Sequence, residues 1–308
     1  MSKDSILVIG DLMLDEWVET SFRKISLETH VPINSMMIKK IELGGAANAA
    51  RVCKFISNTK VIVMGVVGDD EAGKSIKELL QRENLEDALF IDSKRQTTSK
   101  SRISTEGVPL IRIDDECCDD IDFELVTDIL HKVRKLSSKI SGILLSDYGK
   151  GFLTDILIRE VLAIARELDI PVVADPASNR VGKFKGCNVI KPNSFEWVSF
   201  LDNRETEDLN WNEILNSPLV VITKSENGID YYENGMLKTV PGVNVVAKDI
   251  TGAGDAVAAV LVWGTVRGEK SIDLIRFANQ VAAEFVKLER TELPQSKNFQ
   301  KFISSIGK

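Results

Sequence analysis

Short apolar runs rich in Val, Ile and Leu recur along the chain, and helix-like segments separate them. A strand that is buried on both faces reads as a nearly continuous apolar run, as these do. The chain therefore predicts an α/β fold with a mostly parallel central sheet flanked by helices. The predicted strands are 5–11, 61–67, 142–147, 171–175, 187–191 and 219–223, and the predicted helices include 46–57, 123–136, 154–168 and 193–200.

Two stretches interrupt this alternation, residues 12–41 and residues 96–114. The second shows alternating apolar and polar residues around a turn at Glu106-Gly107. We predict that both form antiparallel strands projecting from the main sheet as a small β-sheet lid. Repeats, low-complexity segments and a clear linker are not evident, so we expect one domain over residues 1–308 that includes both lid segments.

The charge balance limits the classes of partner. The chain carries 39 Lys and Arg against 46 Asp and Glu, a net charge of -7, which argues against an extended nucleic-acid surface but allows a local basic pocket. Neither a membrane-length apolar run nor a signal-peptide pattern is present, so we expect no membrane partner and a cytoplasmic location. With only two histidines, His30 and His131, we expect catalysis to depend on carboxylates, lysines and backbone groups.

Polar residues follow several predicted strands, namely Asp11, Asp147, Asp175, Asn193 and Lys224. In doubly wound sheets, ligands bind outside the carboxyl ends of the strands. We therefore expect the site to lie along this edge of the sheet.

The segment Gly252-Ala253-Gly254-Asp255 is the strongest chemical signal. Small residues let a phosphate approach the backbone, and the helical run that follows offers free N–H groups and a positive dipole end. Asp255 in the first turn is predicted either to stabilise the helix start or to act as a general base beside the N–H groups.

Two other segments carry candidate ligands. Gly44 and Gly45 allow close backbone approach before a helix whose first turn contains Asn48, an amide suited to sugar hydroxyls. Asn193 and Glu196 lie one helical turn apart, a spacing that suits either a magnesium ion held largely through water or a simple helix cap.

A P-loop pattern, G-x-x-x-x-G-K-[ST], occurs at residues 68–75. Its loop contains Asp69, Asp70 and Glu71, which would repel a polyphosphate. We interpret this segment as a strand–turn–helix connection with acidic residues at the helix start, and Lys74 as a surface residue. A P-loop nucleotidase that uses Lys74 remains the disfavoured alternative.

Together, GGAAN at 44–48, KPNSFE at 191–196 and DITGAGD at 249–255 resemble, in this order and spacing, the ribokinase / phosphofructokinase-B family of carbohydrate kinases. The early GDDEAG run is similar to that family's G-x-D-x-x-G turn. The resemblance covers nearly the whole chain and implies a ribokinase-like sheet with a β-lid over the sugar. It implies ATP and Mg²⁺ as cofactors, and it leaves open a monovalent cation and a homodimer formed through the lid.

The resemblance also implies roles for individual residues. Asp255 would be the base on the acceptor hydroxyl, and the N–H groups of Gly252, Ala253 and Gly254 would hold the phosphoryl group. The implied sugar-binding residues are Asp11, Gly44, Gly45 and Asn48. The implied nucleotide and metal residues are Asn193, Thr223, Lys224, Gly228 and Asn279 for ATP, and Glu196 for magnesium through water.

Within the family, the runs GDLMLDEW, TTSKSRI, LIRIDDE and LSDYGKG resemble the D-glycero-β-D-manno-heptose 7-phosphate kinases of ADP-heptose synthesis. Lys100, Arg102 and Lys150 are then candidates for binding a substrate phosphate. RKISLETHVP departs from that pattern, and Ala177 stands where a lysine is usual. Another sugar or sugar-phosphate kinase of the same family and a catalytically silent sugar-binding protein on this fold stay as alternatives. Because the sequence ends at Lys308, we expect no nucleotidyltransferase half.

Overall fold

A computed structural model describes residues 3–57, 59–177, 179–201, 209–289, 292–294 and 299. The strands are β1 Ser5–Gly10, β2 Leu12–Ile25, β3 Pro32–Gly45, β4 Lys60–Met64, β5 Val66–Val67, β6 Glu86–Asp87, β7 Phe90–Ile91, β8 Ser99–Thr105, β9 Val108–Asp115, β10 Ile140–Ser146, β11 Val172–Asp175, β12 Val189–Ile190, β13 Leu219–Thr223, β14 Ile229–Glu233 and β15 Met236–Val240. The helices are α1 Ala46–Ser57, α2 Glu71–Arg82, α3 Phe123–Leu136, α4 Asp155–Glu167, α5 Ser194–Leu201, α6 Trp211–Ile214, α7 Ala253–Arg267 and α8 Ser271–Phe285.

The central sheet has nine strands in the part of the chain that is described, in the order β15-β14-β13-β12-β11-β10-β1-β4-β6. The pairs from β6 through β13 are parallel, and β14 and β15 add an antiparallel edge. The predicted α/β fold with a mostly parallel sheet is confirmed. The predicted single strand over 61–67 was wrong, because Gly65 divides it into β4 and β5, which belong to different sheets.

Alternate side chains of the central strands enter two separate cores, one on each face of the sheet. In β1, Ile6 and Val8 pack with α1, α7 and α8, whereas Leu7 and Ile9 pack on the opposite face with α3 and α4. Because both faces of the strand are buried, neither is exposed to solvent, which explains its continuous apolar sequence.

A second sheet of four strands, β3-β2-β8-β9, forms the structure that we call the lid sheet. The β2–β3 and β8–β9 pairs are antiparallel, while β2 and β8 run parallel to each other. These strands extend the predicted lid segments slightly, to Gly45 and to Asp115. Since β3 leads directly into α1, the lid sheet is continuous with the helix whose first turn contains Asn48.

The P-loop-like segment forms an ordinary helix start. Asp70 caps α2 by accepting the N–H of Gly73 at 2.7 Å, and it also accepts the N–H of Thr97 at 2.8 Å. Lys74 is 62% exposed and pairs with Glu71 at 2.8 Å. The interpretation of this segment as a strand–turn–helix connection, between β5 and α2, is confirmed. Among the described residues, no helix is both long and apolar enough to cross a membrane.

Candidate active site

A cavity of about 210 Å³ lies between the lid sheet and the start of α7. Its walls come from sequence segments that are far apart in the chain, and it contains acidic, basic and amide side chains together. The lining residues are Met13, Asp15, Gly44, Gly45, Asn48, Lys100, Arg102, Arg112, Tyr148, Thr251, Gly252 and Asp255. Seven of them were predicted as site residues from the sequence: Gly44, Gly45, Asn48, Lys100, Arg102, Gly252 and Asp255.

Asp255 is buried in the first turn of α7, and both of its carboxylate oxygens accept hydrogen bonds. Nδ2 of Asn48 donates to Oδ2 at 2.5 Å, and the Tyr148 hydroxyl donates to Oδ1. Burial raises the pKa of Asp255 to about 6, although the hydrogen bonds from Tyr148 and Asn48 oppose that rise. A buried carboxylate that is still ionised near neutral pH, facing a cavity, is suited to accept a proton from a ligand.

The start of α7 offers backbone donors beside Asp255. Gly252 is the N-cap residue with φ 80°, a left-handed conformation that favours glycine. The N–H groups of a first helical turn have no partner inside the helix. The N–H of Ala253 donates to the Ile250 carbonyl at 3.2 Å, so this one of the three predicted donors is engaged within the turn.

Lys191 brings a buried positive charge to the same helix start. Its side chain is 3% exposed, and its Nζ lies 3.8 Å from the point where a Cβ on Gly254 would stand. Burial opposes the charged form, but Asp175 together with Glu196 and Asp255 outweighs this effect, and the pKa of Lys191 lies above its ordinary value. A lysine and free backbone N–H groups therefore converge on one place, as an anion site requires.

Gly44 and Gly45 allow the backbone to pass close to two aspartates. A Cβ on Gly44 would stand 2.4 Å from Oδ2 of Asp15. A Cβ on Gly45, whose φ is +57°, would stand 2.5 Å from the Asp11 carbonyl oxygen. No larger residue fits at either position without moving the cavity wall.

Asp11 organises the loop after β10. It is 2% exposed, and its carboxylate accepts the N–H groups of Tyr148 at 2.7 Å, Lys150 at 3.1 Å and Phe152 at 3.3 Å. These bonds fix the loop that presents Tyr148 to Asp255. Asp11 is outside the set of cavity-lining residues, so its predicted contact with a sugar stays a prediction.

The predicted phosphate-binding cations lie near one another, and each is paired with a carboxylate. Arg102 Nη1 lies 2.6 Å from Asp15 Oδ1, and the Arg102 guanidinium carbon lies 4.6 Å from the centre of the Trp17 ring. Glu116 bridges Lys100 at 3.7 Å and Lys150 at 2.7 Å.

A further lid cation, Arg112, faces the same cavity and was not singled out from the sequence. It forms a bidentate pair with Asp114, with both N–O distances 2.7 Å. The lid-sheet cations that line the cavity therefore pair with Asp15 and Asp114 of the same sheet, and Lys100 pairs also with Glu116, which follows β9.

The residues predicted to bind ATP lie around the carboxyl end of β13. Asn193 pairs with Thr223 in a parallel bridge, and Lys224 bonds to Asp230 at 2.8 Å. Asn279 Nδ2 donates to the Pro241 carbonyl at 2.8 Å. Gly228, with φ 88°, lies beside the same turn, because a Cβ there would meet the Pro241 carbonyl carbon at 2.6 Å.

Asn193 and Glu196 form a reciprocal helix cap at the start of α5. The Asn193 N–H donates to Glu196 Oε2 at 2.6 Å, and the Glu196 N–H donates to Asn193 Oδ1 at 2.9 Å. Burial raises the pKa of Glu196. In the described ranges no group of three or more His, Cys, Asp or Glu side chains could hold a metal. Asn193 and Glu196 supply an amide oxygen and a carboxylate, which fit a magnesium ion held largely through water.

Tyr148, Lys191 and Arg112 were not predicted as site residues, although they lie in the runs LSDYGKG, KPNSFE and LIRIDDE. Two of them could have been found from their position in the sequence, because Tyr148 follows β10 and Lys191 follows β12, at the carboxyl ends of parallel strands. Asp175, which ends β11, was noted only as a polar strand end.

Comparison with known proteins identifies the family. Residues 3–298 match the pfkB family of carbohydrate kinases. The chain belongs to this family. A PfkB carbohydrate kinase is a sugar kinase, and the ribokinase-like resemblance seen in the sequence is confirmed.

Relatives of the PfkB chain carry the name bifunctional protein HldE. The protein from Campylobacter curvus is 34% identical over 293 residues, which is 92% of this chain and 62% of that protein. The protein from Caulobacter sp. is 32% identical over 288 residues, covering 90% and 58%. The chain thus spans about three fifths of the length of these relatives.

Solved structures agree on the fold. Phosphofructokinase-2 from Escherichia coli, in complex with potassium, superposes with a TM-score of 0.76 at 16% identity and covers 100% of both chains. A carbohydrate kinase from Agrobacterium tumefaciens gives a TM-score of 0.70 at 20% identity, covering 98% of this chain and 97% of that one.

Proposed function

We propose that this PfkB kinase transfers the γ-phosphoryl group of ATP to the anomeric hydroxyl of a sugar phosphate. The proposed substrate is D-glycero-D-manno-heptose 7-phosphate, which would give the 1,7-bisphosphate in ADP-heptose synthesis. One observation carries this proposal: Lys100, Arg102 and Arg112 line the same cavity as Asp255. A carboxylate on α7 and cations on the lid sheet, all lining one cavity, suit a sugar with a reacting hydroxyl and a phosphate at another position.

In the proposed reaction, the acceptor hydroxyl lies beside Asp255 and gives its proton to the carboxylate. The hydroxyl oxygen attacks the γ-phosphorus as the bond to the ADP oxygen breaks, and ADP leaves with that electron pair. The N–H groups at the start of α7 and the Lys191 ammonium stabilise negative charge on the phosphoryl oxygens. Histidine is unnecessary, because phosphoryl transfer depends mainly on positioning and charge stabilisation.

ATP is proposed to lie across Thr223, Lys224, Gly228 and Asn279, with its phosphates directed towards Lys191. Asn193 and Glu196 would hold Mg²⁺ through water, and the ion would neutralise phosphate charge. A monovalent cation is proposed as a further cofactor, since the similar phosphofructokinase-2 was solved in complex with potassium.

The test is ADP release in a coupled assay, with purified protein, ATP and Mg²⁺, across sugars and their phosphates. We expect the highest kcat/KM with heptose 7-phosphate and little turnover of unphosphorylated heptose. Lack of turnover with every sugar would contradict the proposed function. A preference for a free sugar would favour the second candidate.

The second candidate is a kinase of an unphosphorylated sugar. The observation that favours it is the pairing of the lid cations with Asp15, Asp114 and Glu116. These carboxylates lower the net positive charge around Lys100, Arg102 and Arg112. A phosphate would have to compete with these carboxylates. An uncharged sugar would instead use them as hydrogen-bond acceptors.

A homodimer through the lid sheet is proposed as well. The lid sheet exposes several large apolar side chains, an unusual concentration for a monomer surface. They include Met36, Met37, Ile38, Leu110, Ile111 and Ile113. Sedimentation of the wild type and of Ile38→Glu tests this, with a shift towards monomer expected for the variant and a monomeric wild type contradicting the dimer.

A further inference from the structure

Tyr148 lies in a loop whose backbone is held in one conformation. The loop that carries it is fixed by three backbone bonds to the buried Asp11. Gly149 and Gly151 adopt φ of 68° and 78°, so the chain turns sharply on both sides of Lys150. This loop conformation directs the Tyr148 hydroxyl to Oδ1 of Asp255 inside the cavity.

The two carboxylate oxygens of Asp255 have different neighbours. Asn48, on α1, donates to Oδ2, and Tyr148 donates to Oδ1. A carboxylate oxygen can accept more than one hydrogen bond, so a substrate hydroxyl can still reach Oδ1 or Oδ2 while these donors stay in place. The carboxylate is therefore held at both ends and cannot rotate freely.

We propose that Tyr148 is a positioning residue for the catalytic base, fixing Oδ1 of Asp255 and keeping the carboxylate ionised for the acceptor proton. This inference rests on the proposed role of Asp255. The acceptor proton moves to Asp255, and the Tyr148 proton stays on its own oxygen throughout. Burial raises the pKa of Tyr148 well above its ordinary value, and Asp255 raises it further, so the phenol remains a donor.

Other charged groups around Asp255 act in opposite directions. Asp175 on β11 disfavours the ionised carboxylate, whereas Lys191 after β12 favours it. Burial lowers the pKa of Arg51 on α1 while the Asp255 charge opposes that change, and the Asp15 charge on β2 raises the pKa of Tyr148. None of these groups is altered when the phenol hydroxyl alone is removed, so Tyr148→Phe isolates one hydrogen bond.

The experiment measures kcat/KM between pH 5.5 and 9 for the wild type and Tyr148→Phe. A hydrogen bond to a charged group contributes about 1.5–3 kcal/mol, so its loss should move the acid limb upward by about one to two pH units. At pH 9 the variant should come within about threefold of the wild type. The matched control is Tyr232→Phe, which removes a hydroxyl from a tyrosine packed on Trp197 outside the cavity, and its profile should match the wild type.

A second measurement follows the ionisation of Asp255 and does not depend on catalytic activity. The stability difference between Tyr148→Phe and Tyr148→Phe/Asp255→Asn, followed against pH, gives the pKa of Asp255 in the absence of the phenol. It should lie above the value given by the wild type and Asp255→Asn. An unmoved acid limb together with an unmoved stability curve would overturn the inference, whatever the loss of rate. Full activity in Asp255→Asn would instead overturn the proposed function.

Discussion

Lys191 Nζ lies 2.8 Å from Asp175 Oδ1, at the carboxyl ends of the adjacent strands β12 and β11. Both side chains are largely buried, so each charge has lost its hydration. A cation at the N-terminus of α7 is also disfavoured by the helix dipole. The pair with Asp175 offsets these costs and keeps a positive charge beside the backbone donors of the GAG turn.

We expect Lys191→Met to lose about 10²–10³-fold in kcat, the scale seen when one donor to a developing negative charge is removed. Affinity for ADP should change little, because Lys191 is proposed to act on the γ-phosphoryl group. Affinity for a non-hydrolysable ATP analogue should fall. Titration calorimetry with ADP and with the analogue measures both.

The double variant Lys191→Met/Asp175→Asn separates catalysis from stability. Lys191→Met alone leaves a buried, unpaired carboxylate, which costs about 3–5 kcal/mol of stability. Removing the carboxylate charge as well should recover most of that stability. Turnover should remain low. Recovery of turnover in the double variant would mean that Lys191 serves only to neutralise Asp175.

The fold could be predicted because burial on both faces leaves a direct record in the sequence. β1, β10 and β13 read as largely apolar runs, and each lies in the interior of the nine-stranded sheet. The division of 61–67 into β4 and β5 could not be predicted, since it depends on the contact of Gly65 with Leu12 and Gly10 from another part of the chain.

The site was predictable only where a segment has its own signature. The GAGD turn couples small residues, a helix start and a carboxylate, and the structure does place Asp255 in the cavity. The contacts of Asp255 with Tyr148 and Asn48 join residues 107 and 207 positions apart. Such pairings are set by strand order, and no local pattern encodes them.

Asp255→Asn should lower turnover by roughly 10²–10⁴-fold, the usual range for loss of a general base. ATP binding should be retained, because the backbone donors and the nucleotide-binding residues are unchanged. Wild-type activity should itself fall below about pH 6, where the Asp255 pKa lies. Steady-state rates against pH measure both effects, and near-normal turnover by Asp255→Asn would refute the assignment.

The same variant should be more stable than the wild type at pH 8. The folded-state pKa of Asp255 is raised from 3.8 to about 6, so ionisation destabilises the folded protein as the pH rises through this window. The cost is about 2–3 kcal/mol above pH 6 and is absent below pH 4. Urea unfolding of both proteins at pH 4 and pH 8 measures it. An equal difference at the two pH values would show that burial does not raise this pKa.

Lys74→Ala should leave kcat and the KM for ATP nearly unchanged. The ammonium is exposed and pairs with Glu71 in the first turn of α2, and such surface pairs contribute little. Steady-state kinetics and thermal denaturation together provide the measurement. A large rise in the KM for ATP at unchanged stability would revive the nucleotide-binding interpretation of the loop at 68–75.

Arg102→Ala tests the substrate phosphate. A charge-assisted hydrogen bond contributes about 1.5–3 kcal/mol, so the KM for the phosphorylated sugar should rise about 10- to 150-fold. The KM for ATP should change little, since Arg102 lies in the lid sheet, away from β13. The measurement is kcat/KM for the phosphorylated and the free sugar in both proteins.

The ion pair between Arg102 and Asp15 makes a control necessary. Removing the arginine leaves Asp15, whose side chain is 6% exposed, without its partner at 2.6 Å, and this alone could disturb the cavity. Arg102→Ala/Asp15→Asn removes that buried charge, so it should recover the turnover of the free sugar while the phosphorylated sugar still binds weakly. Equal losses for both sugars in the double variant would mean that Arg102 holds the lid sheet in place and does not bind the phosphate.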